Sequence, residues 1–262
     1  AAMPMTLGNG LARDLERMKR MRTLLTTTAA NLAPIQGEYL GGTKPHLLLV
    51  GRRGQPFFWS PFENAAGNHN VAVFGKSGSG KSVALQELCA SLCGAGAKVV
   101  VVSLCWGKAG ATAPTSTQTE LAQGIADAGA DIILGTHSGT LQTVEILTAD
   151  RGDGKYHPVL CAYSLGNLFT YDREKRATLA SILLRSDVVY DPATGCVAFD
   201  NLSYTPTYSW RGKEDDVTRY RVILNDGQTY PDYVDDTQKG VMERCLTLVN
   251  DVMADTPVPI AQ

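Results

Sequence analysis

Apolar positions recur along the chain with two different periods. Over residues 10–29, Leu11, Leu15, Met18, Met21, Arg22 and Leu25 trace a helical stripe, with Arg13, Arg17, Lys19 and Arg20 on the other face. A solvated helix face explains that basic side better than contact with nucleic acid, and nucleic acid is not supported as a partner. His46–Val50 and Pro56–Trp59 read as two strands joined by the Gly51–Gly54 turn. Asn70–Phe74 has the pattern of a short buried strand, Val83–Cys89 that of a helix, and Lys98–Val102 that of a buried parallel strand. Strand, helix and strand at this spacing predict a βαβ unit.

Beyond Leu104 the pattern predicts a helix over Thr115–Gly129, capped by Ser116 or Thr117, with Leu121, Ile125 and Ala128 inward. A strand over Ala130–Gly135 follows. Val144–Leu147 and Pro158–Tyr163 form a hairpin around the Asp150–Lys155 turn. Residues 177–225 alternate β-branched and tyrosine positions between short turns, which predicts antiparallel β structure. The aromatic residues of Tyr204–Trp210 fit sheet packing better than a contact surface. A last helix covers 237–253, and Pro257-Val258-Pro259 reads as a loose tail. The fold class is α/β: a P-loop strand–helix–strand unit, then an α/β region ending in antiparallel β and a C-terminal helix.

One motif stands between two of these elements. Gly75-Lys76-Ser77-Gly78-Ser79-Gly80-Lys81-Ser82 is a full G-x-x-x-x-G-K-S phosphate loop. Its glycines allow the backbone to turn N–H groups onto phosphate oxygens. Lys81 carries the ammonium for the outer phosphates, and the Ser82 hydroxyl can ligate Mg²⁺. ATP with Mg²⁺ is therefore the expected cofactor, and a nucleotide the expected partner. Hydrolysis needs in addition an acid at the end of a neighbouring strand. Cys196–Asp200 has the form of such a strand, but Asp200 stands far from the loop in the β-rich region. Binding with little or no turnover is the expectation, and the catalytic residues are left unknown.

Composition narrows the picture only slightly. With 262 residues and 44% hydrophobic positions the chain can bury a core, and no apolar run is long enough to span a bilayer. The N-terminus lacks the pattern of a signal peptide, so a cytoplasmic location is expected. Six cysteines (Cys89, Cys93, Cys105, Cys161, Cys196, Cys245) form no C-x-x-C pair and suit reduced, mostly buried thiols. The net charge of −2 conceals a swing: 11 basic against 5 acidic residues up to Val102, then 13 against 21. Such an asymmetry suggests two segments with different histories.

Two resemblances follow that division. Leu-Ala-Arg-Asp-Leu-Glu-Arg-Met (11–18), Leu-Leu-Thr-Thr-Thr-Ala-Ala-Asn-Leu-Ala-Pro (24–34) and Phe-Phe-Trp-Ser-Pro-Phe (57–62), with the phosphate loop, make residues 3–102 resemble the TraC-type conjugation ATPases of type IV secretion systems. Secretion components are the partners this implies. Val-Ser-Leu-Cys-Trp-Gly (102–107), Ala-Asp-Ile-Ile-Leu-Gly-Thr-His (130–137), Leu-Gln-Thr-Val-Glu (141–145) and Tyr-Ser-Leu-Gly-Asn-Leu (163–168) make residues 98–262 resemble the C-terminal part of CapA-type capsule and poly-γ-glutamate synthesis proteins. That likeness implies a partial calcineurin-like metallophosphatase fold. The chain then reads as a chimera of a truncated P-loop segment, 1–102, and a partial CapA-like domain, 103–262, joined at about 98–103.

The second resemblance carries its own site. His137, Glu145 and Asn167 are its candidates, with His137 the one family-aligned metal ligand. Cys105 stands where the family has a histidine before Trp-Gly. Ser138 and Gly139 replace the Pro-His that would follow His137. His46, His69 and His157 read as solvent-exposed bystanders. The alternative function is thus a capsule-synthesis remnant with a metallophosphatase fold, or a fusion without catalysis.

Overall fold

The computed structural model describes residues 41–44, 46–50, 54–63, 70–74 and 79–261. The helix expected over 10–29, His69, the 51–53 turn and positions 75–78 of the phosphate loop lie outside them. Two compact units are present, residues 1–59 and 60–262. In the first, strands β1 (Leu47–Val50) and β2 (Pro56–Trp59) pair antiparallel with Leu48 opposite Phe58, as the sequence pattern predicts.

The second unit opens on a departure from expectation. Asn70–Phe74 forms no strand. Its valines are exposed and Phe74 is 91% exposed, so the βαβ unit predicted around the phosphate loop is not built. Helix α1 (Lys81–Gly94) does follow, and it ends in a Schellman motif. Gly96, at φ 89°, donates to the Cys93 carbonyl while Ala97 donates to that of Leu92. The strand expected at 98–102 lies further on, as β3 (Val101–Cys105).

Helix α2 (Ser116–Asp127) has its cap one residue before the expected Ser116 or Thr117. Thr115 is the cap, in a capping box where its side chain accepts from the Gln118 N–H and Gln118 accepts from the Thr115 N–H. The T-x-x-Q signature at 115–118 marks this start in the sequence itself. At the other end Gly129, φ 116°, completes a second Schellman motif on Ala126 and Ile125. The buried face is Gln118, Ala122, Ile125 and Ala126, whereas the predicted Leu121 and Ala128 are half-buried.

Strands β4 (Ile132–Thr136), β5 (Val144–Ala149) and β6 (His157–Ala162) complete a sheet of order β3-β4-β6-β5. β3, β4 and β6 are parallel, and β5 returns antiparallel on β6 with Glu145 opposite Cys161. The parallel βαβ crossover is therefore β3–α2–β4. A short 3₁₀ turn (Arg176–Leu179) leads into an antiparallel sheet of β7 (Ala180–Tyr190), β8 (Val197–Glu214) and β9 (Val217–Leu224), then helix α3 (Asp236–Met253).

Alternation along the strands divides the interior in two. Ile133, Val159 and Cys161 point to one side of the mixed sheet, where Cys89 of α1 and Ala122, Ile125 and Ala126 of α2 cover them. Leu160 and Ala162 point to the other, against Tyr204, Tyr208 and Trp210 of β8 and Met242, Cys245 and Val249 of α3. The aromatic run of β8 is thus sheet packing. The terminal segment is not a loose tail: Val258 is buried, Tyr204 N–H donates to the Pro259 carbonyl and Ala261 N–H returns to Tyr204. Sheets with a C-terminal helix confirm the mixed α/β class. Among the described residues, the strand expected before the phosphate loop is the part not formed. No described helix is long and apolar enough to cross a membrane.

Candidate functional site

In an open sheet with parallel strands, loops leaving the carboxyl ends diverge and leave a crevice. Here β3, β4 and β6 run into three such loops, and the crevice is a cleft of about 720 Å³. Its walls include Ala109 and Gly110 after β3, His137–Gly139 after β4, and Asn167 with residues 170–175 after β6.

Several bonds fix these loops. Gly110 N–H donates to the Ser138 carbonyl at 2.7 Å, and the Thr140 hydroxyl to the Ala111 carbonyl at 2.6 Å. Below them lies a buried amide pair. Gln118 Nε2 donates to Gln142 Oε1 at 3.1 Å, and Gln142 Nε2 donates to the carbonyls of Ala111 and Ala113. These side chains are almost fully buried and mutually satisfied, which locks the β3 loop onto α2 and the β4 loop. Trp106 stacks on Tyr163 at 5.7 Å, and its indole N–H donates to the Tyr163 carbonyl at 2.9 Å. The bases of the β3 and β6 loops are joined in this way.

His137 leaves β4 with φ 96°, a left-handed backbone uncommon for a residue with a side chain. Such conformations persist where the surroundings over-determine them, and they cluster at ligand sites. Its ring is exposed to the cleft mouth. Asn167 approaches the same loop: a side chain built on Gly139 would meet its amide at 3.5 Å. His137 and Asn167 are therefore brought together. Glu145 is not. It belongs to β5, beside Cys161 and Tyr163, away from the cleft wall.

A metal centre needs several donors converging in one place. Among the described residues no three His, Cys, Asp or Glu side chains converge as a metal site would require. Cys105 and Gly139 occupy the positions where the resemblance asks for histidines, and neither Cys105 nor Glu145 lines the cleft. His157 corrects a second expectation. It is buried at the start of β6, with Nε2 3.0 Å from both oxygens of Asp153 and Nδ1 without a partner. It braces a turn. Sequence pattern missed this because the enclosing residues come from a neighbouring loop rather than from the strand itself.

Sequence reasoning also missed Arg173. This side chain lines the cleft and spans to β8, where it donates to the Ser209 carbonyl, while it also donates to the Thr170 carbonyl of its own loop. Burial lowers its basicity from the ordinary guanidinium value. No motif marks it, since its partners are backbone atoms.

At the phosphate loop, Gly80 caps α1 in the left-handed conformation at φ 81°, and no side chain caps the helix. Lys81 is half-buried and Ser82 exposed. Asp200, the only acid matching a Walker B pattern, is an exposed residue of β8 opposite Asp187. Burial raises the thiols of Cys89 and Cys245 to about 11 and that of Cys161 to about 12, so these three are inert, neutral core residues. Every cysteine is free.

Comparison with known proteins finds a likeness over part of the chain. Residues 59–172 match the model of the bacterial capsule synthesis protein PGA_cap. The chain is similar to the PGA biosynthesis protein CapA of Bacillus subtilis (strain 168), 36% identical over 89 residues, which are 34% of this chain and 21% of that protein. It is also similar to the capsule biosynthesis protein CapA of Bacillus anthracis, 31% identical over 146 residues, 56% of this chain and 31% of the relative. The chain thus spans less than a third of the length of either relative. The CapA-type likeness is supported, and its matched region runs through the phosphate loop and across residues 98–103. A TraC-type ATPase part, and with it a chimera, receives no support.

Proposed function

We propose that the chain is part of a CapA-type capsule synthesis protein, and that its cleft receives a segment of an anionic capsular polymer such as poly-γ-glutamate, or a precursor of it. The observation that carries this reading is the coincidence of the matched region with the cleft. Residues 59–172 contribute the β3 loop, the strained His137 loop and Asn167, and the match ends where the 170–175 segment closes the wall. The role in view is binding and orientation. His137 offers a ring at the mouth, Asn167 an amide that both donates and accepts, and Arg173 and Lys175 two cations. No metal-assisted step is assigned to these residues.

The test is a segment exchange. Residues 59–172 replace their counterpart in the Bacillus subtilis relative, and polymer output is measured beside a His137→Ala version. Polymer produced by the exchange and strongly reduced by the substitution is the expected result. A folded exchange protein that yields no polymer would overturn the reading.

A second reading is phosphate binding at 75–82 with ATP and Mg²⁺. It is favoured by the glycine-capped start of α1, which has no side-chain cap of its own. The strand that would present the loop is absent, so this reading has less support than the first. Titration with nucleotide and Mg²⁺ decides it: saturable binding lost in Lys81→Ala keeps it, and heat identical to buffer dilution removes it.

A further inference from the structure

On the outer face of β8 and β9 a single tyrosine, Tyr220, is flanked by Arg211 of β8 and by Arg173 of the 170–175 segment, and no carboxylate among the described residues pairs with either arginine. Ser209 and Arg211 share that face of β8, and Tyr220 of β9 is the register partner of Arg211. The guanidinium carbons of Arg173 and Arg211 each lie 5.9 Å from the Tyr220 ring centre, and Phe169 meets the same ring edge-on at 5.6 Å. Lys213 continues the face two residues on.

Two guanidinium groups repel, and gathering them needs a compensating interaction. Ion pairs do not supply one, since none joins either arginine to a carboxylate among the described residues. Asp172 and Glu174 are in the same segment, but the Asp172 carboxylate is turned to the Glu174 N–H at 2.9 Å. The backbone carbonyls of Ser209 and Thr170 take two N–H groups of Arg173, and its Nε has no partner. Arg173 is thereby held in place at the cleft wall, and Arg211, exposed and with no described side-chain hydrogen bond, holds its guanidinium at the same ring. Planar, bidentate donors of this kind match carboxylate and phosphate oxygens.

We propose that Arg173 and Arg211, held around Tyr220, form an anion subsite for a carboxylate or phosphate group of a ligand that extends out of the cleft. The inference takes from the capsule reading only the choice of a polycarboxylate probe.

The full chain is titrated with a short γ-linked glutamate oligomer and, separately, with inorganic phosphate. Arg211→Gln is the main variant, because its exposed side chain supports no described hydrogen bond and folding is kept. Arg173→Lys and Tyr220→Leu accompany it. Binding of either probe, weakened about tenfold by Arg211→Gln at an unchanged unfolding midpoint, is the expected result. The probe that binds identifies the anion. Absence of binding by both probes to the parent chain, or equal affinity in Arg211→Gln, overturns the subsite. The segment exchange reads polymer output and this titration reads affinity, so either can fail alone.

Discussion

Gly135 is the position where one added methyl group would do most damage. A β-carbon there would lie 2.0 Å from the Tyr163 carbonyl oxygen and 2.2 Å from the Trp106 indole nitrogen. Neither can retreat, because they hydrogen-bond to each other across β4. Gly135→Ala is expected to cost about 2–3 kcal/mol, measured as a lower urea midpoint at constant slope. Asp153 gives a prediction in pH. The Lys155 N–H and then His157 hold its carboxyl below the usual carboxylate range. A carboxylate depressed in the folded state contributes stability above its unfolded pKa, about 3.9, and loses it as pH falls through the lower folded value. The advantage of the parent over Asp153→Asn should therefore be full at neutral pH and decline as pH falls below the unfolded value, followed by denaturation at a series of acidic pH values. His157 shows where residue-level reading ends. Its sequence neighbours, a turn and a proline, suggest exposure, and only the folded turn encloses it.

Among the elements, hairpins and long periodic runs were legible because their periods are local. β5 with β6, the antiparallel stretch of β7 to β9 and α3 all lie where alternation or helical spacing puts them. Asn70–Phe74 has the same apolar pattern and forms no strand: Val71, Val73 and Phe74 stay exposed, so its apolar side chains gain little burial from an extended pairing. The cleft was legible only in part. His137 and Asn167 could be named from motif likeness, while Arg173 is held by carbonyls and leaves no pattern to read. The buried Gln118–Gln142 pair that supports the loops is likewise invisible to periodicity. Gln142→Leu should destabilise by about 1–3 kcal/mol, because it strands the Gln118 amide and two carbonyls, with equilibrium denaturation as the measurement.

For the whole molecule, the division suggested by charge at residue 102 differs from the compact unit beginning at Ser60. Cys89, Val100 and Val102 belong to the same core as Ala122, Ile125 and Val159. A fragment starting at 103 would bare that core. It is expected to unfold at lower temperature than residues 60–262, or to be recovered only as aggregate, by thermal denaturation of the two purified side by side. The open side of β3 carries this further. β3 is an outer strand with Val101 more than half exposed, bordering an apolar groove of about 540 Å³ shared with Val71, Val73 and Leu85. An unpaired strand flank is a template on which another chain can continue the ladder. Among the described outer strands β3 is the one bordered by this apolar groove, and association at high concentration, read by light scattering, is expected to use it. A lysine in place of Val101 would lengthen the useful life of a sample without touching the cleft.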